Sequence, residues 1–430
     1  MKTVCDNSQL QLFGAPSASR TKNPDELKLQ LKQFDEFGEA TQRIETNVVI
    51  EHGASLSVDT FVNEFWTAKQ RRASSLHEIS YRACFKPQLP RFFIERLTSE
   101  SDTVYDPFMG RGTTLVEAAL LGRKPLGCDA NPLSVVLVSP RLIPPRINQV
   151  ADRLQKIDFG RSESLPTDLL AFYHTDTLQE ICTLRSYLLD KQKHGTLDNV
   201  DAWIRMVAVN RLTGHSPGFF SVYTLPPNQA VSVESQTRIN QRRDQRPPRR
   251  NVPELILRKS EALLFDCDEE TRRILDRSCK DVVLLTKDAS STPEIETSSV
   301  SLVVTSPPFL DIVDYESDNW LRCWFCGIDP KRQRLTVVKA LDKWQAAMRS
   351  VFAELARILQ PNGYVAFEVG EVRRGTIKLE EAVVPCGVSA GLQPVLILIN
   401  DQEFTKTSNC WGVQNQVAGT NTNRVVLFRK

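Results

Sequence analysis

Short apolar clusters alternate with longer stretches of helical periodicity along most of this 430-residue chain. Seven clusters read as strands, each a brief apolar run bounded by charge or turn residues: Asp102–Phe108, Pro125–Cys128, Asp281–Thr286, Val300–Thr305, Gly363–Val369, Pro394–Ile399 and Arg424–Phe428. Helical spacing fills Thr113–Leu121 after the first and Trp344–Leu359 before the fifth. Strands separated by helices predict a parallel, doubly wound α/β sheet for the first five, with the last two as an antiparallel pair. One interval breaks the rhythm: about 150 residues separate Asn131 from Asp281, where an ordinary βαβ step takes roughly 30. It holds helical stretches at Leu178–Leu189 and Ala202–Leu212, then a polar, proline-bearing run from Arg238 to Arg250. The reading gives an N-terminal extension (1–60) with one helical pattern from Leu27, a first half of the sheet (61–139), an insertion (140–278) and a second half (279–430).

Charge adds little to this picture. Lys and Arg number 54 against 52 Asp and Glu, a net charge of +2, so any nucleic-acid surface must be local. The ten cysteines are scattered without a disulfide framework, which points to a reducing compartment. Met1 to Arg20 lacks a signal-peptide stretch and no segment approaches the roughly 20 apolar residues of a membrane span, so a cytoplasmic protein without membrane contact is expected. Cys323 and Cys326 have zinc-like spacing, but no second pair follows; buried thiols are expected there, and no metal.

The strongest local signal is Asp106-Pro107-Phe108-Met109-Gly110-Arg111-Gly112-Thr113-Thr114, between the first strand and a helix. Gly110 and Gly112 let the backbone bend sharply beside a ligand. Thr113 or Thr114 can cap the helix, whose N–H groups favour an anionic group. Asp129 follows at the end of the second strand, where nucleotide-binding sheets place a ribose-binding acid. The string resembles the cofactor motif of amino-group DNA methyltransferases, D-P-F-x-G-x-G-T-T, at every fixed position. The resemblance implies a Rossmann-like, seven-stranded methyltransferase sheet and S-adenosylmethionine as donor. It implies that Asp106, Phe108, Gly110, Gly112 and Thr113 surround the methionine end, that Asp129 holds the ribose and that Asp288 accepts from the adenine amine. The family often has Gly-Asp where this chain has Lys287-Asp288.

At the end of the fourth strand stands Ser306-Pro307-Pro308-Phe309. Two prolines stop a strand and leave carbonyls without ladder partners. An exocyclic base amine is a poor nucleophile because its lone pair is delocalised into the ring. A hydroxyl and a backbone carbonyl accepting its two hydrogens localise that pair, and an aromatic face holds the base. Ser306, the Pro307 carbonyl and Phe309 supply these groups, leaving in-line positioning for a direct displacement. The serine form of the string resembles that of cytosine-N4 enzymes, whereas adenine-N6 enzymes more often carry Asp or Asn; relatives usually end the string in Tyr.

The order of motifs is similar to that in which target recognition lies between the two halves of the sheet. The insertion is then the recognition region for double-stranded DNA, with Arg238, Arg242, Arg243, Arg246, Arg249 and Arg250 as phosphate or base contacts. The bland reading of that run is a solvated loop, and Phe219 and Phe220 read more readily as core than as contacts to a flipped base. A monomer is expected because a hemimethylatable duplex presents one target base at a time; the resemblance implies a nucleoid-associated enzyme of a restriction-modification or orphan system, with any cognate endonuclease acting separately. Two alternatives stand beside it: an adenine-N6 enzyme, and a DNA-binding protein on an inactive methyltransferase scaffold. Pro385-Cys386 is similar to a cytosine-C5 nucleophile dipeptide but follows the wrong strand.

Overall fold

The computed structural model describes residues 23–50, 53–67, 73–81, 84–160, 164–225, 229–308, 315–329, 340–372, 377–401 and 422–430. The chain begins with α1 (Pro24–Lys32), a hairpin of β1 (Gln42–Val49) and β2 (Ser55–Asn63), and α2 (Gln88–Leu97). Then come β3 (Thr103–Asp106), α3 (Thr113–Leu120), β4 (Lys124–Asp129) and α4 (Leu133–Leu142). Six helices fill the long interval: α5 (Ile147–Lys156), α6 (Thr175–Lys193), α7 (Asn199–Arg211), α8 (Val233–Arg243), α9 (Val252–Leu263) and α10 (Glu269–Ser278). The second half comprises β5 (Val283–Thr286), β6 (Val300–Thr305), α11 (Tyr315–Cys326), α12 (Leu341–Ile358) and β7 (Leu359–Val369), the short pair β8 (Glu371–Val372) and β9 (Ile377–Lys378), then α13 (Leu379–Ser389), β10 (Gln393–Asp401) and β11 (Thr422–Arg429).

The main sheet runs β1-β2-β10-β11-β7-β6-β3-β4-β5. From β7 to β5 all pairings are parallel, and β11 lies antiparallel between β7 and β10. This is a Rossmann-like methyltransferase sheet. The chain moves from β3 outward to β5, then returns to the other side of β3 as β6; the topological switch therefore falls between the strands that carry the two motifs. All six residues of β6 are buried because both faces are covered. Val303 packs with Phe352 and Leu355 of α12, while Leu302 and Val304 pack with Phe93 and Ile94 of α2.

The seven expected strands are present, and the sheet gains two more from the N-terminal extension. β2 runs parallel to β10 from Ile397↔Thr60 to Asn400↔Asn63, so residues 42–63 extend the sheet edge. Apolar periodicity did not mark β1, because the hairpin is held by polar cross-strand pairs. Arg43 is salt-bridged to Asp59 at 2.5 Å, and the Thr46 and Thr60 hydroxyls are 2.7 Å apart. Asn400 completes the junction, its Oδ1 accepting from the backbone N–H groups of Phe65 (2.6 Å) and Trp66 (3.0 Å).

The helices between β4 and β5 do not form a detached body. One apolar core runs from Leu115 and Val116 of α3 through Leu133 and Leu137 of α4 to Trp203 and Val207 of α7 and Leu255 of α9. Trp203 is fully buried and its indole N–H donates to Ser260 Oγ at 3.0 Å. Two residues away, buried Asp201 accepts from Arg153 and from the Tyr187 hydroxyl (3.0 Å) and faces Lys191 at 3.4 Å. A buried carboxylate is tolerated when it is paired in this way.

Because the core is shared, Trp203→Ala should destabilise the insertion and the sheet together, by about 3–5 kcal/mol. Urea unfolding followed by circular dichroism and by amide protection of α3 should show one transition, shifted to lower urea. Two separated transitions would contradict the shared core.

Candidate active site

β3 and β6 pair in parallel through Val104↔Leu302 and Tyr105↔Val303, which brings their carboxyl ends side by side. Asp106 ends β3 and Thr305 ends β6. The Thr305 hydroxyl donates to Asp106 Oδ1 at 2.6 Å, and the Phe108 N–H donates to the same oxygen at 3.0 Å. The Thr114 hydroxyl crosses in the opposite direction, donating from α3 to the Val304 carbonyl of β6 at 3.0 Å. Two strings 199 positions apart in sequence are thereby joined. Burial pushes the Asp106 carboxyl up to about 7; the bonds from Thr305, Phe108 and Thr114 oppose that shift, and the charge of Asp129 adds to it.

Between the strands the cofactor loop turns through Gly110 and Gly112, with φ of +48° and +76°. At Gly112 a side chain is excluded twice, since a Cβ would stand 2.4 Å from Val138 Cγ2 of α4. Asp129 holds the loop from beneath, with Oδ2 accepting from the Gly110 N–H and Oδ1 from the Asn131 N–H, both at 2.8 Å. Burial raises the Asp129 carboxyl, and these bonds pull it back down. The threonines do not cap α3 as expected. Gly112 is the cap residue and gives no side-chain bond, Thr113 Oγ1 receives Arg111 Nε at 3.1 Å, and Thr114 is committed to β6. The first turn of α3 is therefore left without a side-chain cap beside a cleft, which suits a carboxylate. Among the described residues that cleft is lined by Asp106 and Phe108 to Arg111 with Thr113 from the glycine loop, by Ser306, and by Cys84 and Phe85.

Ser306 is half-buried, Pro307 buried and Pro308 exposed. The Trp344 indole N–H of α12 donates to the Pro308 carbonyl at 3.0 Å, which pins the string one residue beyond the carbonyl assigned to substrate. Phe309 lies outside the described residues. Behind Ser306 is a residue that motif reasoning missed. Glu368 of β7 is 6% exposed, accepts from Asn423 Nδ2 at 3.0 Å and lies close enough to the Ser306 hydroxyl for that group to lower its pKa. Burial raises its pKa, and those two groups lower it. Its signal was a lone carboxylate near the carboxyl end of the apolar run Tyr364–Val369, on a strand that proves to adjoin β6.

The remaining candidates are more dispersed. Asp288 is exposed just past β5 and outside the cleft, with Oδ1 occupied by the Ser290 N–H (2.8 Å) and hydroxyl (2.6 Å). It neighbours the Asp129 strand end, where the Lys287 N–H donates to the Asp129 carbonyl at 3.1 Å. Arg238, Arg242 and Arg243 are exposed on α8, with Arg243 over the Tyr223 ring at 3.8 Å, and Arg246 is exposed just beyond. Arg249 instead bonds Glu180 (2.5 Å) and Asp176 (3.5 Å), and the Arg250 N–H donates to Thr177 Oγ1 at 2.7 Å, so both contribute to seating this run on α6. Phe219 and Phe220 are core residues. Cys323 and Cys326 are buried thiols, and no metal-binding cluster of His, Cys, Asp or Glu occurs among the described residues. Nor is any described helix long and apolar enough to cross a membrane.

Sheet order, loop and cleft together define an S-adenosylmethionine-dependent methyltransferase. A family profile described as DNA methylase, of the N6/N4 type, matches residues 17–136. The chain is 23% identical over 371 residues to Type II methyltransferase M.BsoBI of Geobacillus stearothermophilus, covering 78% of this chain and 68% of that protein. Type II methyltransferase M.MvaI of Kocuria varians is 34% identical over 86 residues, 19% of each chain. Among solved structures, the rRNA methyltransferase aviRa of Streptomyces viridochromogenes superposes with a TM-score of 0.33 at 12% identity, covering 83% of this chain and 90% of that one. Both the profile match and the M.BsoBI similarity point to amino-group DNA methylases of the N6/N4 type as what this chain resembles.

The residues present fit the donor. An uncapped helix N-terminus faces the cleft, two left-handed glycines keep the loop low, and Asp129 is anchored at the adjoining strand end. The raised carboxyl of Asp106 has a consequence for stability. Its folded pKa of about 7 lies above its ordinary value of 3.8, so its contribution is full below 3.8 and is lost as pH rises toward 7. Asp106→Asn, which keeps the acceptor for Thr305, should flatten the fall in thermal midpoint across that window. An unchanged slope in melts at a series of pH values would contradict the assignment.

Proposed function

We propose that this chain transfers a methyl group to the N4 amine of a cytosine flipped out of duplex DNA. The observation that carries the reading is Ser306, which follows β6 into the cleft that Asp106, Gly110 and Thr113 also line. When bound, S-adenosylmethionine supplies an electrophilic methyl group on a sulfonium. The chain's own part is to orient the amine and take up a proton. Ser306 Oγ and the Pro307 carbonyl accept the amine's two hydrogens, which localises the nitrogen lone pair toward the donor. Because the Ser306 hydroxyl lies beside Glu368, a proton leaving the amine has a route through Oγ to a buried carboxylate. Desolvation makes that carboxylate a stronger base than an exposed one. Serine at this position favours cytosine by the family resemblance.

DNA is expected on the side of α8. The segment before this basic helix is held to α11, the helix that follows the catalytic string: the Ala230 N–H donates to the Asp318 carbonyl at 3.1 Å and the Trp320 indole to the Val231 carbonyl at 3.2 Å. The helix start ahead of Arg238 and Arg242 is thereby tied to α11, and Arg238, Arg242 and Arg246 are exposed and free of ion pairs among the described residues.

Expression in a methylation-free host followed by sequencing for modified bases should reveal N4-methylcytosine; N6-methyladenine would overturn the base assignment. Ser306→Ala and Glu368→Gln should each lower kcat by about 10²- to 10⁴-fold, and the Glu368 variant should lose the acidic limb of the kcat profile. That limb arises because kcat falls as pH drops through the Glu368 pKa. A retained limb would remove Glu368 from the proton path. Replacing Arg238, Arg242 and Arg246 by Ala should reduce the salt slope of DNA affinity by about 1 per lost phosphate contact. An unchanged slope in titrations across salt concentrations would place the DNA elsewhere.

A further inference from the structure

Cys84 and Phe85 line the cleft together with the cofactor loop, and residues 77–81 lie just ahead of them in the chain. After a short 3₁₀ turn at Ser75–His77 the described part of this segment has no regular structure, so its carbonyls need partners from elsewhere. One side chain supplies several of them. Arg111, between the two glycines of the cofactor loop, donates through Nη1 to the carbonyls of Ile79 (2.9 Å) and His77 (3.4 Å) and through Nη2 to that of Phe85 (3.4 Å). Its Nε donates to Thr113 Oγ1 at 3.1 Å, tying the same guanidinium to the first residue of α3.

We propose that Arg111 is a positioning residue for cofactor retention, fixing the closing segment over the loop that cradles the donor. The inference rests on the assignment of S-adenosylmethionine to this cleft. A planar fork with five N–H donors can span three carbonyls and a hydroxyl at once; an ammonium group on a flexible stem cannot. The loop is braced for this task. Fully buried Arg141 of α4 donates to the Arg111 carbonyl and, at 3.1 Å, to that of Leu76, so one arginine holds the backbone of the other. Tyr81 closes the contact from the segment's side. Its ring lies 3.6 Å from where a Cβ on Gly110 would stand, and its hydroxyl accepts from Asn131 Nδ2 at 3.2 Å. Asn131 in turn donates its backbone N–H to Asp129. Segment, loop and Asp129 therefore form one connected polar network with Arg111 as its widest link.

The segment is also gripped from outside the loop. The Ser80 N–H donates to Asn210 Oδ1 of α7 at 2.9 Å, and the Ser80 carbonyl accepts from buried Arg322 of α11 at 3.1 Å. Removing Arg111 should therefore loosen the cover without unfolding it, a local opening confined to the cleft wall.

The test uses the full chain, with S-adenosylhomocysteine as probe in calorimetric titration and hydrogen exchange on residues 77–85. Arg111→Met should weaken binding by about 10- to 100-fold, the factor expected for losing a charge-assisted hydrogen bond. Amides of 77–85 should exchange faster while those of α3 and β6 stay protected. KM for the donor should rise more than kcat falls. Arg111→Lys, which keeps charge but not the fork, should recover part of the affinity, and it carries the test if the Met variant does not fold. Unchanged affinity, or unchanged exchange in 77–85, would overturn the proposal. The wild-type chain's own binding of the probe checks the cofactor assignment separately.

Discussion

The hydrogen bond from Thr305 to Asp106 joins the ends of β3 and β6 inside the protein, and both halves of the site are built outward from it. Parallel pairing of these strands brings the two motifs together but does not fix the side chains at their ends. Asp106 does so by accepting from Thr305 and from the Phe108 N–H, while Thr114 beside it donates to the Val304 carbonyl. A carboxyl so buried that its pKa rises to about 7 is costly unless its lone pairs are used. The need to satisfy it therefore constrains the start of the glycine loop and the entry to the Ser306-Pro307-Pro308 string at the same time.

A second ring of polar contacts repeats that logic further out. Asp129 satisfies the Gly110 and Asn131 amides, Asn131 donates to the Tyr81 hydroxyl, and Arg111 and Arg141 satisfy carbonyls of the irregular segment above the cleft. Each of these groups is a buried or half-buried donor or acceptor that must be matched, so the loop, the cover and the helices behind them are mutually specified. The inserted helices take part as well. Their core is continuous with α3 and α4, and Asn210 and Arg322 hold the two sides of the Ser80 backbone. An insertion welded in this way has no flexible joint to the sheet.

Much of this was legible in the chain because it depends on local rules. The seven strands follow from apolar runs bounded by turns, and the two motifs from residue types with few other reasons to occur together. Gly112 could be assigned to a close turn, and the tertiary structure supplied the partner that makes glycine obligatory there, Val138 of α4. The β1–β2 hairpin was not legible, since its strands are paired by Arg43–Asp59 and Thr46–Thr60 and not by an apolar stripe. Six arginines in one run looked equivalent, but Arg249 and Arg250 are committed to α6 while Arg238, Arg242 and Arg246 face solvent.

By itself the sequence determined the class of fold, the donor and the two strings that meet at the switch point, because backbone geometry and residue chemistry dictate these within a dozen positions. Only the tertiary structure decided which distant groups complete the site. Glu368 lies 62 positions from Ser306 in the chain and becomes its partner because β7 pairs with β6. Arg111 could have been a solvated loop residue; it spans three carbonyls because the segment ahead of β3 folds back over the loop. Long-range pairing and the demand of buried polar groups for partners act between elements, and no local pattern encodes them.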